Sequence, residues 1–428
     1  MIPILRRLGV YRALNASAVQ FNSIVFRVIV GFLAGVPGEI VALIPTIEFM
    51  LNFVLEIPTG YLADKYGRIP FAIAGHVAVI IGLFCGYLGL LGIFGPEGSY
   101  ALFILHGIFI GFTRPLTSGS VEAFYHDALK RNSHDAASDA IVSKSFTLSK
   151  AYGRHLTTIA VAAAFGSIYV LHNTIGAEHA FILGIGLWAA TLWKLFDDYR
   201  NLGDVKQTPN DLIPILKILT RKKRALNSVI YTLSSFMLLG IVMGYFIVAL
   251  GREIPSVSAS FKWLTIVAFM MGSQGLGWIA KSYILPPLIN RMSEKQYLTL
   301  FYGVLLAASL ALFYSFGSIP EWAVVVLVFF YGLIFFTAFS AIQSVAQNMV
   351  LDQVGKNDFA MVLSVQNMPG LLFIGLYSLY LTLFRNGCPS SSEIFMSVAS
   401  ISFVFLLCHL RMHAEDNILP TKEVTRAL

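Results

Sequence analysis

The chain reads Glu56-Ile57-Pro58-Thr59-Gly60-Tyr61-Leu62-Ala63-Asp64-Lys65-Tyr66-Gly67-Arg68 at the end of its second apolar stretch. Long apolar runs precede and follow this segment, while three of its four charged residues, Asp64, Lys65 and Arg68, fall within a few positions of one another. Gly60 and Gly67 permit tight backbone turns and close approach of helices. A short charged turn between two long apolar runs is typical of a loop that joins two membrane-spanning helices.

The composition of the whole chain also indicates a membrane protein. Of its 428 residues, 57% are hydrophobic and only 12% are charged, whereas soluble domains carry about 25% charged residues. This high apolar fraction excludes a disordered chain. A secreted disulfide scaffold is also excluded, since the only cysteines are Cys85, Cys388 and Cys408. The net charge of +7 fits loops that face an anionic membrane leaflet better than it fits a nucleic-acid partner.

Twelve apolar stretches approach or exceed the roughly 20 residues that a spanning helix needs. They are residues 11–36, 38–62, 69–94, 99–129, 141–171, 176–196, 226–251, 258–289, 296–316, 320–350, 358–384 and 391–411. We therefore predict an all-α membrane protein with twelve transmembrane helices. No cleavable signal peptide is expected, because residues 1–14 are basic and lack a small-residue cleavage site.

Lysine and arginine residues indicate how the chain is oriented. Most of them fall in loops on one side, including the run Arg221-Lys222-Lys223-Arg224, while the other side holds only Arg252 and Arg385, with Lys262 near it. Basic loops face the cytosol, so we expect both termini to be cytosolic.

The chain divides into two similar halves. We predict a first six-helix bundle at 1–196, a cytosolic central loop at 197–225, a second bundle at 226–411 and a cytosolic tail at 412–428. Asp64 and Asn290 follow corresponding spans 226 positions apart, and Asp127 and Asp352 are 225 positions apart. A nearly constant offset at two landmarks indicates an internal duplication, and many secondary transporters are built from such pseudo-symmetric halves.

Two motifs carry a resemblance to a known family. Residues 56–68 resemble the motif between spans two and three of the major facilitator superfamily, and their Glu-x-Pro-Thr-Gly beginning looks like that of a bacterial branch rich in efflux pumps. Residues 118–127, which read Ser-Gly-Ser-Val-Glu-Ala-Phe-Tyr-His-Asp, resemble the end of span four in the same branch. The resemblance implies alternating access in the bacterial inner membrane, with spans one, four, seven and ten lining a central cavity.

The same resemblance implies a conformational latch at the cytosolic ends of the helices. Its members are Gly60, Asp64, Gly67, Arg68 and Asp127. Arg68 would bridge the two aspartates when the cavity faces outward and release them when it faces inward. The second half departs from the motif because Asn290 replaces the acid and Glu294 replaces the arginine, so its latch must be weaker. The other interpretation is that Lys65 and Arg68 are only positive-inside charges.

Charged and polar groups within the spans are the candidate substrate site, since ionisable side chains are costly at membrane depth. Arg114 is the leading candidate for binding an anionic or carbonyl group of a substrate. The alternative, that Arg114 pairs permanently with Glu48 or Glu122 and only holds helices together, stays open. The full predicted set of substrate-binding residues is Arg27, Asn52, Arg114, Ser118, Tyr331 and Gln343.

Three carboxyl groups are the predicted proton carriers: Glu48, Glu56 and Glu122. A carboxyl group in a low dielectric can take up a proton near neutral pH. Arg27 or Arg114 nearby would favour the ionised form of such a group, and we expect substrate binding at an arginine to release a proton. Glu122 also belongs to the span-four motif, so it has a second interpretation as a structural residue near the latch.

The function predicted from the sequence is secondary active transport. The favoured version is proton-coupled export of a small anionic or amphipathic organic molecule, such as a siderophore or a drug. One alternative is proton-linked uptake of an organic anion or nutrient, and another is a sensor or lipid-handling protein on the same fold. The sequence has no Gly-rich phosphate loop and no metal-ligand spacing among its histidines. We expect no enzymatic activity, no cofactor, no metal and a monomer in the lipid bilayer.

Overall fold

A computed structural model describes residues 2–117, 120–121, 124–125, 128, 159, 162–164, 166–203, 223–253, 259–276, 291–315, 320–351, 359–385 and 389–416. Every regular element in these ranges is helical. This is expected in a membrane, where an α-helix satisfies all of its backbone hydrogen bonds within its own segment.

Twelve α-helices follow one another along the described chain. They are α1 Ile2–Val28, α2 Gly38–Tyr66, α3 Arg68–Leu91, α4 Gly95–Thr117, α5 Ala162–His172, α6 Ala180–Leu202, α7 Lys223–Glu253, α8 Ala259–Met270, α9 Glu294–Ser315, α10 Glu321–Leu351, α11 Phe359–Phe384 and α12 Ser391–Asp416. Helices α1 and α8 continue into π-helical turns at Ile29–Leu33 and Met271–Leu276.

Ten helices in the described ranges are long and apolar enough to cross a membrane. Two shorter apolar helices, Ala162–His172 and Leu264–Ser273, lie where the remaining two spans were expected. The predicted all-α membrane fold is therefore confirmed, and its helices follow the apolar stretches of the sequence closely.

Among the helix boundaries that the structure describes, the start of the first helix differs most from its prediction. This helix begins at Ile2 rather than at residue 11. The early turns are stabilised by a buried cluster in which Ile4 and Leu8 pack with Ile69, Tyr125 and Leu195. The basic residues between these apolar positions lower the local hydropathy, so a hydropathy window does not register this amphipathic segment.

The helices pack as two groups that meet along one main line of contact. In the first half, α4 packs on α2 and α3, and α6 packs on α1 and α3; in the second half, α7 packs on α10, α11 and α12. Across the halves, α2 packs along α11. Side chains of both halves lie next to each other along this contact, and both can therefore act there on one ligand.

Candidate functional site

Three charged side chains of the first half form one electrostatic cluster. Arg27 is on α1, Glu48 is on α2 and Arg114 is on α4, and all three are partly buried. Glu48 interacts electrostatically with both arginines. None of the ion pairs within 4 Å that the described residues form includes any of the three. The cluster carries a net positive charge, and among the described residues neither guanidinium group takes part in a hydrogen bond.

Close packing of α4 on α2 explains why Glu48 and Arg114 are neighbours. A Cβ atom built on Gly111 would lie 3.2 Å from the Glu48 Cα atom and 3.0 Å from a side-chain atom of Leu51. A Cβ atom on Gly107 would lie 3.2 Å from the backbone oxygen of Ile44. Small residues allow helix backbones to approach this closely in a membrane. Glycine on α4 thus allows the α2 backbone at Glu48 to lie close to α4.

The second half contributes a buried aromatic ring that contacts the cluster. The Arg114 guanidinium carbon lies 5.2 Å from the centroid of the Phe236 ring on α7. Phe236 is buried with Leu371 and Ile374 of α11. Phe49 and Phe53 of α2 pack against the same apolar group. The charged cluster of one half is therefore in contact with the other half through an aromatic ring.

Asn52 and Glu56 continue the polar line along α2 that the sequence predicted. The Asn52 side-chain nitrogen donates a 2.8 Å hydrogen bond to the Glu48 backbone oxygen, and its side-chain oxygen has no partner among the described residues. Glu56 is only 2% exposed, and its Oε1 accepts a 3.0 Å hydrogen bond from Ser364 of α11. Glu56 thus lies at the contact between halves.

The two candidates on α10 occupy different environments. Gln343 is partly buried. Tyr331 is buried inside the second bundle, where its hydroxyl group lies 3.3 Å from that of Ser309 and its ring packs against Phe246 and Phe395. The structure therefore does not bring Tyr331 to the charged cluster, and it serves to pack the second bundle.

The predicted latch is described only in part. Gly67 joins α2 to α3 with a φ of 113°, a backbone conformation that favours glycine. Arg68 begins α3 and is buried. No described atom lies within 4 Å of a Cβ atom built on Gly60, so the close helix approach expected there is not made by the described residues. The side chain of Asp64 and all of Ser118, Glu122 and Asp127 lie outside the described residues.

A buried carboxylate that the sequence analysis missed lies at the predicted cytosolic end of the first half. Asp198 on α6 is fully buried and accepts a 2.8 Å hydrogen bond from Arg7 of α1. Lys194 and the hydroxyl group of Tyr125 also donate to Asp198. The neighbouring Asp197 accepts a 2.7 Å bond from Arg7 but stays partly exposed. The signal was the acidic pair at 197–198 together with Arg7 near the start of the chain; only the basic residues were used above, and only to predict orientation.

A separate cavity of about 580 Å³ lies within the second half, among α7, α11 and α12. Apolar and aromatic side chains such as Met237, Phe373 and Tyr377 line most of it, and the ion pair between Arg385 and Glu393 lies at its edge. Because all of its walls belong to one half, this cavity is distinct from the charged cluster. Among the described residues, no three His, Cys, Asp or Glu side chains are grouped to hold a metal ion.

Comparison with known proteins agrees with this architecture. The family model described as Major Facilitator Superfamily matches residues 12–376. No curated protein sequence matches the chain.

Several solved transporters have a similar fold. The nucleoside transporter NupG superposes with a TM-score of 0.66 at 15% identity, covering 96% of this chain and 99% of its own. An auto-inhibited POT family peptide transporter has a TM-score of 0.65 at 13% identity, with 100% and 99% covered. A bacterial homologue of the iron transporter ferroportin, in an outward-facing state, has a TM-score of 0.60 at 14% identity, with 96% and 99% covered. At these identities the likeness is one of fold.

Proposed function

The chain belongs to the Major Facilitator Superfamily, and we propose that it is a proton-coupled secondary transporter of a small organic substrate that bears an anionic group. The observation that carries this proposal is the cluster of Arg27, Glu48 and Arg114, in which two guanidinium groups act on one carboxyl group without a direct ion pair. A guanidinium group binds a carboxylate or phosphate through paired, charge-assisted hydrogen bonds.

The mixed walls of the site favour an amphipathic substrate. The first half supplies the charges, and the second half supplies Phe236 with its apolar neighbours Leu371 and Ile374. Phe49 and Phe53, on the same helix as Glu48, extend the apolar surface. Such a site would hold the anionic end of a molecule at the arginines and its apolar body against the rings.

Proton coupling follows from competition for the arginines. An ionised Glu48 and a substrate anion both gain from the same two guanidinium groups, so the anion binds best when Glu48 carries a proton. Glu48 then takes up a proton when the substrate binds. This is the opposite of the expectation from the sequence, in which substrate binding releases a proton. Glu56, hydrogen-bonded across the halves to Ser364, is the second candidate carrier.

This sign of coupling favours movement of substrate and proton in the same direction, and hence uptake driven by an inward proton gradient. Export is the second candidate function, and the observation that favours it is the Glu56-Ile57-Pro58-Thr59-Gly60 motif of the efflux-rich branch. A substrate whose cationic group binds Glu48 would compete with the proton instead, and that exchange would support export.

The first experiment compares metabolites in the cells and in the medium of a deletion strain, the same strain carrying the wild-type gene, and the strain carrying Arg114→Gln. Uptake predicts a compound left in the medium by the deletion strain and by the variant. Export predicts a compound that accumulates inside those cells and is missing from their medium. The absence of any difference between deletion and wild type under growth conditions that express the gene would contradict both.

The compound found in this way is then tested in proteoliposomes with an imposed pH gradient. Counterflow of labelled compound demonstrates transport, and its absence with correctly inserted protein favours a non-transporting role. The direction of the gradient that drives accumulation separates co-transport from exchange. We expect Glu48→Gln to keep counterflow and to lose the dependence on the gradient, since glutamine has nearly the same shape but cannot titrate.

A further inference from the structure

The contact between Arg114 and Phe236 joins the charged cluster to the opposite half of the molecule. Arg114 lies on α4 of the first half and Phe236 on α7 of the second, and the guanidinium carbon is 5.2 Å from the ring centroid. This distance is within the range in which a cation is attracted to the face of an aromatic ring. The contact therefore stabilises an arrangement of the two halves in which Arg114 and Phe236 stay in contact.

Phe236 is held firmly from the side of the second half. It is 3% exposed and packs with Leu371 and Ile374 of α11. A Cβ atom built on Gly370 would collide with the Phe236 side chain, so the ring and α11 are in close contact. The ring consequently moves with the second half and cannot follow the guanidinium group if that group is displaced.

The guanidinium group of Arg114 is held less firmly. Among the described residues it takes part in no side-chain hydrogen bond and no ion pair within 4 Å, and its interaction with Glu48 is a longer-range one. Hydrogen bonds between arginine and an anion are charge-assisted and stronger than a contact with a ring face. A bound anion can therefore draw the guanidinium group away from Phe236.

We propose that Phe236 is a positioning residue that communicates occupancy of the charged cluster to the second half. With the site empty, Arg114 rests on the ring and links the halves; an anion bound to Arg114 weakens that link and favours the alternate arrangement. A ligand shifts an equilibrium by its differential affinity for the two states, and loss of this contact in one state supplies such a difference. The inference rests on alternating access as part of the proposed function.

The test measures the distance between the halves without any substrate. Full-length protein with Cys85, Cys388 and Cys408 replaced by alanine is reconstituted in nanodiscs and spin-labelled at two pairs of exposed positions. One pair is Lys65→Cys with Arg411→Cys, and the other is Ile93→Cys with Phe384→Cys; the pairs report on opposite ends of the helices. Pulsed electron–electron double resonance then gives the populations of short and long distances between the two spin labels of each pair.

We expect Phe236→Leu to change the ratio of the two populations by about two- to fivefold, which is the effect of losing one such contact. Phe236→Tyr, which keeps the ring, should leave the ratio as in the wild type. The matched control is Phe373→Leu, which removes a ring that stacks on Tyr377 within the second half. In the Arg114→Gln background, Phe236→Leu should have no further effect.

Two results would overturn the proposal: an unchanged ratio of the short- and long-distance populations in Phe236→Leu, or an equal change of that ratio in the Arg114→Gln background. If Phe236→Leu does not give a monodisperse protein, Phe236→Met supplies a side chain of similar length without a ring, and the same comparisons apply. Because the readout is a distance in the empty protein, an error in the substrate class or in the transport direction leaves this test intact.

Discussion

Ser364 donates a 3.0 Å hydrogen bond to Oε1 of Glu56, and this bond connects α11 of the second half to α2 of the first. Glu56 is almost completely buried, so the hydroxyl group is not readily replaced by bulk water. A predicted proton carrier is therefore also a point of attachment between the halves, and the two roles can be separated by substitution.

Replacing the donor should weaken the attachment. We expect Ser364→Ala to lower the free energy of unfolding by about 1–3 kcal/mol, because it removes a hydrogen bond to a buried carboxyl group. Denaturation of the purified protein in mixed micelles by SDS measures this change. The control is Ser344→Ala, whose hydroxyl group, within the described part of the chain, bonds only to the Ser340 carbonyl of its own helix and should change stability much less. Equal effects of both substitutions would contradict a specific contact.

Replacing the acceptor should change coupling rather than stability. Glu56→Gln keeps an oxygen that accepts from Ser364 but cannot gain or lose a proton. We expect stability close to that of the wild type and loss of dependence on the proton gradient in the proteoliposome assay. If Glu56→Gln keeps its full dependence on the proton gradient, Glu56 is not a proton carrier. Glu48 is then the remaining candidate among the residues that the structure describes.

The buried carboxylate of Asp198 should be far more important for stability than that of its neighbour. Asp198→Asn leaves Lys194 without its charge partner and Arg7 with Asp197, and weakening the charge-assisted hydrogen bonds to this fully buried carboxylate costs about 1.5–3 kcal/mol. Asp197→Asn is the matched control, since the Asp197 side chain is 47% exposed and exposed pairs contribute about 0–1 kcal/mol. In thermal denaturation, the melting temperature should therefore fall more for Asp198→Asn than for Asp197→Asn.

The approach of α4 to α2 gives a prediction for glycine. Gly111→Val places its branched side chain against the Glu48 backbone and Leu51, and such overpacking costs about 1–3 kcal/mol. We also expect transport to fall, because the position of Glu48 relative to Arg114 changes. Gly303→Val is the control, since no described atom outside the neighbouring residues and backbone of its own helix lies within 4 Å of a Cβ atom built there. Thermal denaturation and the proteoliposome assay distinguish the two variants, and indistinguishable behaviour would contradict the close packing.

The arginines should determine substrate affinity. Arg27→Gln and Arg114→Gln should each weaken binding of the identified anionic substrate about 10- to 100-fold, which corresponds to the loss of a hydrogen bond to a charged group. Glutamine keeps much of the length of arginine, so packing changes little. Arg224→Gln is the control because Arg224 pairs with Glu294 at an exposed site. Isothermal titration calorimetry gives the dissociation constants, and unchanged values for Arg27→Gln and Arg114→Gln would assign the arginines a structural role.

Much of the fold could be predicted because length and hydropathy alone define spanning helices. Boundaries such as Phe359–Phe384 and Ser391 agree closely with the apolar stretches. The start of α1 could not be predicted in this way, because Ile4, Leu8 and Tyr11 form only one apolar face among basic residues. Their partners on α3 and α6 and among Val121, Phe124, Tyr125 and Ala128 are distant in sequence, so only tertiary packing identifies that face as buried.

The candidate site was predictable in its charges and less so in its geometry. Arg27, Glu48 and Arg114 stood out because charges are rare in apolar helices. The rotation of an entirely apolar helix is not encoded in its hydropathy pattern, so nothing distinguished Tyr331, which faces the core, from Phe236, which faces Arg114. Ser364 was missed for the same reason, since one hydroxyl group on α11 carries no signal until its partner is known.

The bond between Arg7 and Asp198 spans 191 positions of the chain, and this separation orders events during biosynthesis. Ribosomes add about 5–20 residues per second, so α6 is made roughly 10–40 s after α1. Throughout that interval the first turns of α1 lack both Asp198 and Leu195. The first bundle is thus completed only when its last helix leaves the insertion machinery and binds its first.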